Sequence, residues 1–122
     1  MFNEDYIKNK LYSLSKSKFR SSFHLNNKMK EYVDNKGLNK IRNDAYDFIN
    51  KRLAPAVIPN DGKQTPMKQV HPVFIAQHAC ACCCRGCLEK WYKIEKGREL
   101  TQEEIDGIVN ILIEWIKLQK DN

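Results

Sequence analysis

No apolar run in the 122-residue chain approaches the 18 or so residues that a membrane-spanning helix needs, so the sequence offers no transmembrane candidate. The opening stretch, MFNEDYIKNK, carries acids and lacks a continuous apolar core, which is unlike a secretory signal. A soluble, cytoplasmic protein with reduced thiols is therefore expected. Cysteine is absent everywhere except positions 80 to 87, where Cys80, Cys82, Cys83, Cys84 and Cys87 crowd together. A disulfide framework staples segments distant in sequence, so this distribution excludes one. Proline is absent outside Pro55, Pro59, Pro66 and Pro72, which leaves the rest of the chain open to helix.

Other absences exclude enzyme classes. The glycine pattern of a P-loop does not precede Lys63, so Gly62-Lys63-Gln64-Thr65 is no nucleotide cradle. His78-Ala79-Cys80 lacks the glutamate of a cytidine-deaminase site. Cys80, Cys84 and Cys87 match the C-x3-C-x2-C spacing of radical S-adenosylmethionine enzymes, but the chain is too short for their barrel and has no alternating strands. Cys84-Arg85-Gly86-Cys87 is formally C-x-x-C, and Arg85 is placed to lower a thiol pKa, yet no βαβ pattern surrounds it. A thiol redox role stands as a further alternative on that motif.

What is present has helical periodicity. The hydrophobic share of 42% and charged share of 30% suit one globular domain of this length. The expected organisation over 1–122 is an N-terminal helix at 1–15, a basic loop and helical hairpin at 16–53, a long loop at 54–79, a cysteine-rich loop and helix at 80–96, and a C-terminal helix at 101–120. The fold class expected is mainly α, a small single-domain protein with a long central loop, one short extended segment and a cysteine-rich metal site. In the first helix Tyr6, Ile7, Leu11 and Leu14 share a face and Lys8 and Lys10 take the wet side. Met29, Tyr32 and Val33, ended by Gly37, precede Leu38, Ile41, Ala45, Phe48, Ile49 and Leu53, giving a hairpin. Pro72 followed by Val73, Phe74, Ile75 and Ala76 suggests a buried extended segment. Gly97 is placed to end the cysteine-bearing helix. Thr101 and Glu104 make a capping box before a stripe of Ile105, Ile108, Val109, Leu112, Trp115, Ile116 and Gln119.

Neighbouring cysteines offer several thiolates to one small volume, which suits a soft cation or an iron–sulfur centre. Cys84, Cys87, Leu88 and Trp91 fall on one helical face, so Cys84 and Cys87 point the same way. Zinc on Cys83, Cys84, Cys87 and His78 is the leading expectation, with an iron–sulfur cluster as the alternative. Ordinary core packing of thiols accounts for one or two such cysteines, but poorly for five in eight residues with His71 and His78 beside them.

The net charge of +6 is uneven: residues 1–53 hold 12 Lys/Arg against 6 Asp/Glu, and the remainder holds 9 of each. Such asymmetry suits an anionic partner such as nucleic acid, and equally a solubilising surface. In SKSKFRSSFHL, Phe19 and Phe23 anchor a loop whose basic residues face water, or Lys18 and Arg20, with Arg85, form an anion-binding strip. A pocket built from His24, Asn60, Asp61, Lys63, Gln64, His71 and His78 beside a reactive centre supports an enzyme. A structural zinc holding the basic half for nucleic acid or a protein partner supports a binding module.

The stretches SKFRSSFHL, RLAPAVIPNDGKQTP, HPVFIAQHA, CCRGCLEKW and KGREL, spread over residues 16 to 118, resemble the domain-of-unknown-function family 4186 of bacteria and phages. That resemblance implies no activity. It implies a Cys-Cys-Arg-x-Cys core at Cys83 to Cys87 with a histidine at His78, and so favours these cysteines as ligands. It also implies small hydroxyl residues where Cys80 and Cys82 stand and a histidine where Tyr92 stands, which puts a ring-nitrogen role at position 92 in doubt.

Overall fold

The computed structural model describes residues 1–121, and among them it has six α-helices and no strand. All of these helices except the third begin where a side chain satisfies backbone N–H groups that have no partner inside the helix. Asn3 Oδ1 accepts from Tyr6 N at 2.8 Å to open α1 (Glu4–Ser15), and Asn26 Oδ1 accepts from Met29 N at 2.9 Å to open α2 (Asn27–Lys36). Gly37, at φ +82°, ends α2 and leads at once into α3 (Leu38–Arg52), completing the expected hairpin. The capping box is present at the start of α6 (Gln102–Lys120): Glu104 N donates to Thr101 Oγ1 at 3.1 Å and Thr101 N donates to Glu104 Oε1 at 2.9 Å.

The segment expected to be extended is instead a helix, α4 (Pro72–Ala79). Pro72 fits the first helical position, where its missing N–H costs nothing, and His71 Nδ1 accepts from Val73 N at 3.1 Å as the cap. All eight residues of α4 are buried. A helix covered on every side needs no polar face, so its sequence carries no amphipathic period, and a short apolar run is ambiguous between helix and strand.

Helix α6 packs along α3 and α4 and touches α1. It buries Ile105, Ile108, Val109, Ile111, Leu112, Ile113 and Ile116, a wider stripe than the sequence period indicates. These meet Ile41, Ala45, Ile49 and Leu53 of the α3 side and Val73, Ile75 and Ala76 of α4 in one core. Lys10 is not on the wet side of α1: its Nζ donates to the Trp91 carbonyl at 2.7 Å. No helix among the described residues is long and apolar enough to cross a membrane.

Two backbone reversals deliver the cysteines. After α4, Ala81 takes φ +57°, with Ala81 N donating to His78 O and Cys82 N donating to Gln77 O at 2.8 Å, the two-bond reversal that ends many helices. Helix α5 (Arg85–Tyr92) then starts with Cys84 as its cap. It ends at Lys93, φ 60° and ψ 30°, not at Gly97; the left-handed residue is a lysine, and Gly97 at φ +86° serves the following turn.

Arg98 grips both oxygens of Glu104, each at 2.8 Å, and holds that carboxyl down at about 2 from an ordinary 4.5. Because the folded value lies below the unfolded one, this stabilisation is complete above pH 4.5 and is lost as pH falls toward 2. Glu104→Gln is therefore expected to be less stable than the native chain at pH 7, with the gap in urea midpoint closing between pH 4.5 and 2. A gap that stays constant across that range contradicts the assignment.

Candidate metal centre

The reversal after α4 and the first turn of α5 bring three thiols to one point. Cys83 lies at the end of the reversal, Cys84 is the cap and Cys87 is one turn further on. The Cys84 sulfur accepts from Cys87 N at 3.4 Å, which fixes both side chains against the helix start. The sulfurs of Cys83, Cys84 and Cys87 all lie within 4.8 Å of one another, and those of Cys83 and Cys87 are 3.5 Å apart.

The other two cysteines go elsewhere. Cys80 and Cys82 are wholly buried in the core, where the Cys80 sulfur faces Ile111 O and that of Cys82 faces Cys80 O. Burial pushes both thiols up, so they remain protonated and inert. Tyr92, buried beside them, donates its hydroxyl to Cys80 O. The cluster of five thus divides into a fully buried pair and a group of three at the edge of the core, in which Cys83 is buried and Cys84 and Cys87 are half-buried.

His78, the expected fourth ligand, is not among the grouped donors. Its Nε2 sits 2.9 Å from the Thr65 carbonyl and its ring stacks on Phe23 with centroids 5.3 Å apart. The geometry makes His78 a strut between α4 and the long loop. Thr65 continues that strut, donating Oγ1 to Cys83 O at 2.8 Å, so the loop holds the backbone of Cys83.

Arg20 has the place nearest the sulfurs. It lies in a short 3₁₀ turn (Arg20–Ser22) and is only 8% exposed. One guanidinium nitrogen donates to His78 O at 2.7 Å and to the Cys83 sulfur at 3.6 Å, and the other donates to the Cys87 sulfur at 3.1 Å. The Cys83–Cys87 pair therefore gives up its first proton easily. The hydrogen bond from Cys87 and the contact with Arg20 bring Cys83 down to about 7, while Cys87 is pushed up by sharing its hydrogen with Cys83 and by burial. Burial also raises Cys84. Arg20 itself is penalised by burial, but its bonds to Cys83 and Cys87 outweigh this and raise it.

The remaining expected residues occupy separate places. Asp61 is bound to the start of α5, with Oδ1 accepting from Arg85 N at 2.9 Å and Oδ2 from Gly86 N at 3.1 Å. Gln64 braces it, with Nε2 donating to Asp61 Oδ1 at 2.9 Å, and Asn60 supplies a left-handed φ of 57° to the same turn. Lys63 is exposed. His24 lines a cavity of about 290 Å³ beside Arg20, Phe23 and Trp115. His71 lies at the α3–α4 contact, 3.0 Å from Asp44 and flanked by Tyr32, Phe48 and Phe74. Lys18 is exposed, whereas Arg85 is buried and donates to the carbonyls of Leu53, Pro55 and Glu95. Arg85 and Arg20 thus turn their donors inward, onto carbonyls and thiols of their own chain.

Residues 8–117 match the family described as a domain of unknown function, DUF4186. The chain belongs to the DUF4186 family. No solved structure matches it. In this DUF4186 chain the three-cysteine group can hold a metal ion, and the residues around it are those of the recognised stretches: Arg20, Asp61, Thr65 and His78.

Asp61 is the tether by which the long loop reaches the site. Asp61→Ala is expected to lower stability by about 1 kcal/mol, the usual cost of losing a helix-start acceptor, and to speed hydrogen exchange at the Arg85 and Gly86 amides. Unchanged protection at those two amides would show that the tether is not formed.

Proposed function

We propose that this protein binds one zinc ion through Cys83, Cys84 and Cys87 and leaves its fourth coordination position to a ligand from outside the chain. The observation that carries the reading is three sulfurs within 4.8 Å, with no fourth Cys, His, Asp or Glu donor joining the group among the described residues. Zinc–sulfur bonds near 2.3 Å in a tetrahedron space neighbouring sulfurs by about 3.8 Å, which fits this separation. An iron–sulfur cluster spreads its cysteine ligands over separate irons, further apart than the corners of one tetrahedron.

The position of the ligands in the chain argues for a working site over a structural staple. A structural ion stabilises a fold by joining segments that are otherwise free to separate. Here all three ligands lie within five consecutive residues, so the ion joins little that α5 does not already hold. Three protein ligands with an open position is the pattern of zinc centres that bind or activate a further molecule. When bound, the ion would supply Lewis acidity at that position. The chain's own contribution is to fix the three sulfurs through the Cys84 cap and the Thr65 bond to Cys83 O.

A second reading rests on the Cys83–Cys87 contact alone. Sulfurs 3.5 Å apart, one of them ionising near neutral pH, suit a reversible dithiol.

Anaerobic purification followed by metal analysis separates the two readings. About one zinc per chain is expected, lost in Cys84→Ser and Cys87→Ser and retained in His78→Ala. Replacement by cobalt(II) should give a visible spectrum that shifts on addition of imidazole or a small thiol, because the fourth position exchanges. A metal-free native protein that forms an intramolecular disulfide on mild oxidation supports the dithiol. Loss of metal in His78→Ala, with a cobalt spectrum indifferent to added ligands, would show a closed site and overturn the open-position reading.

A further inference from the structure

The feature of this site that the metal reading leaves unused is the direction of the Arg20 fork. A guanidinium has only donors, so any atom at which it aims must accept, and a charged donor prefers an anionic acceptor. Both outer nitrogens of Arg20 are turned toward sulfur, at 3.6 Å from Cys83 and 3.1 Å from Cys87, in a position only 8% exposed. Its place is fixed from three sides: Ser17 Oγ accepts from Arg20 N at 3.2 Å, His78 O takes a donor at 2.7 Å, and the Phe19 ring lies 5.0 Å from the guanidinium carbon. A buried, immobilised positive charge is costly unless its partner carries the matching negative charge.

The charge of the loaded centre depends on the ion. A dication on three thiolates leaves one net negative charge. A trivalent metalloid such as arsenic(III) on the same thiolates leaves none, and a monovalent ion such as copper(I) leaves two. Only the first makes a neutral unit with one guanidinium.

We infer that Arg20 is a specificity-determining residue of the three-cysteine centre, selecting a divalent ion by charge balance across its bonds to Cys83 and Cys87. This rests on the metal-binding reading and adds to it which ions the site prefers and what sets that preference. Arg20 does not touch the ion; it acts through the sulfurs, lowering the electron density they present and cancelling the residual charge.

The test compares two ions of different charge on the same sulfurs. Zinc affinity by chelator competition and arsenite affinity by titration are measured under anaerobic conditions for the native chain, Arg20→Met and Arg20→Lys. Arg20→Met is expected to weaken zinc about tenfold or more, the scale of a lost hydrogen bond to a charged group, and to leave arsenite nearly unchanged. Arg20→Lys should recover most of the zinc affinity, because it restores the charge without the fork. Arsenite binding doubles as the control that the three sulfurs still converge. Equal weakening of both ions would show that Arg20 merely holds the loop, and undiminished zinc affinity in Arg20→Met would show that its charge is irrelevant; either overturns the inference. A native chain that binds neither ion removes the three-cysteine centre itself, and this inference with it.

Discussion

The burial of α4 on all sides is the constraint from which the rest of the site follows. A helix enclosed by α3, α6 and the 3₁₀ turn has no surface of its own, so the chain must reverse at its end to escape the core. The reversal at Ala81 leaves Cys80 and Cys82 fully inside and brings buried Cys83 together with half-buried Cys84 and Cys87 at the edge of the core. One backbone turn therefore decides which thiols are inert packing and which are available for chemistry. The same enclosure places the His78 carbonyl, the second-last of the helix, where Arg20 can donate to it.

Around that turn the chain uses charged side chains as fastening. Arg85 gathers carbonyls from Leu53, Pro55 and Glu95, so a single guanidinium ties the end of α3, the start of the long loop and the segment after α5. Asp61 fastens the middle of the loop to the first amides of α5, where the positive end of a helix favours a carboxylate. Thr65 and His78 complete the attachment. The loop is thus a frame for the cysteines, held by polar contacts in place of an apolar core of its own.

Elements with a wet face were legible in the sequence. The hairpin ended by Gly37 and the capped helix from Thr101 both stand where periodicity and capping residues place them. Helix α4 was not, because the apolar run Val73 to Ala76 has no polar positions to reveal its period. The convergence of Cys83, Cys84 and Cys87 could be read from spacing, since those residues span one helix start. The partners of Arg20 and Arg85 could not: a charged side chain in a basic stretch is read as solvent-facing or as ligand-binding, and its burial depends on contacts 58 and 32 residues away. Arg20 does meet acceptors, but they are thiols of its own chain. His78 adjoins the cluster in sequence, yet its ring is turned to Thr65 and Phe23 by the helix that carries it.

The claim that an ion sits on three cysteine sulfurs with an open fourth position is tested most directly by X-ray absorption at the zinc edge of the anaerobically purified protein. A shell of three sulfurs near 2.3 Å with one oxygen or nitrogen near 2.0 Å, unchanged in His78→Ala, is the expected result. Four sulfurs, a nitrogen that disappears with His78, or a protein without zinc would contradict it.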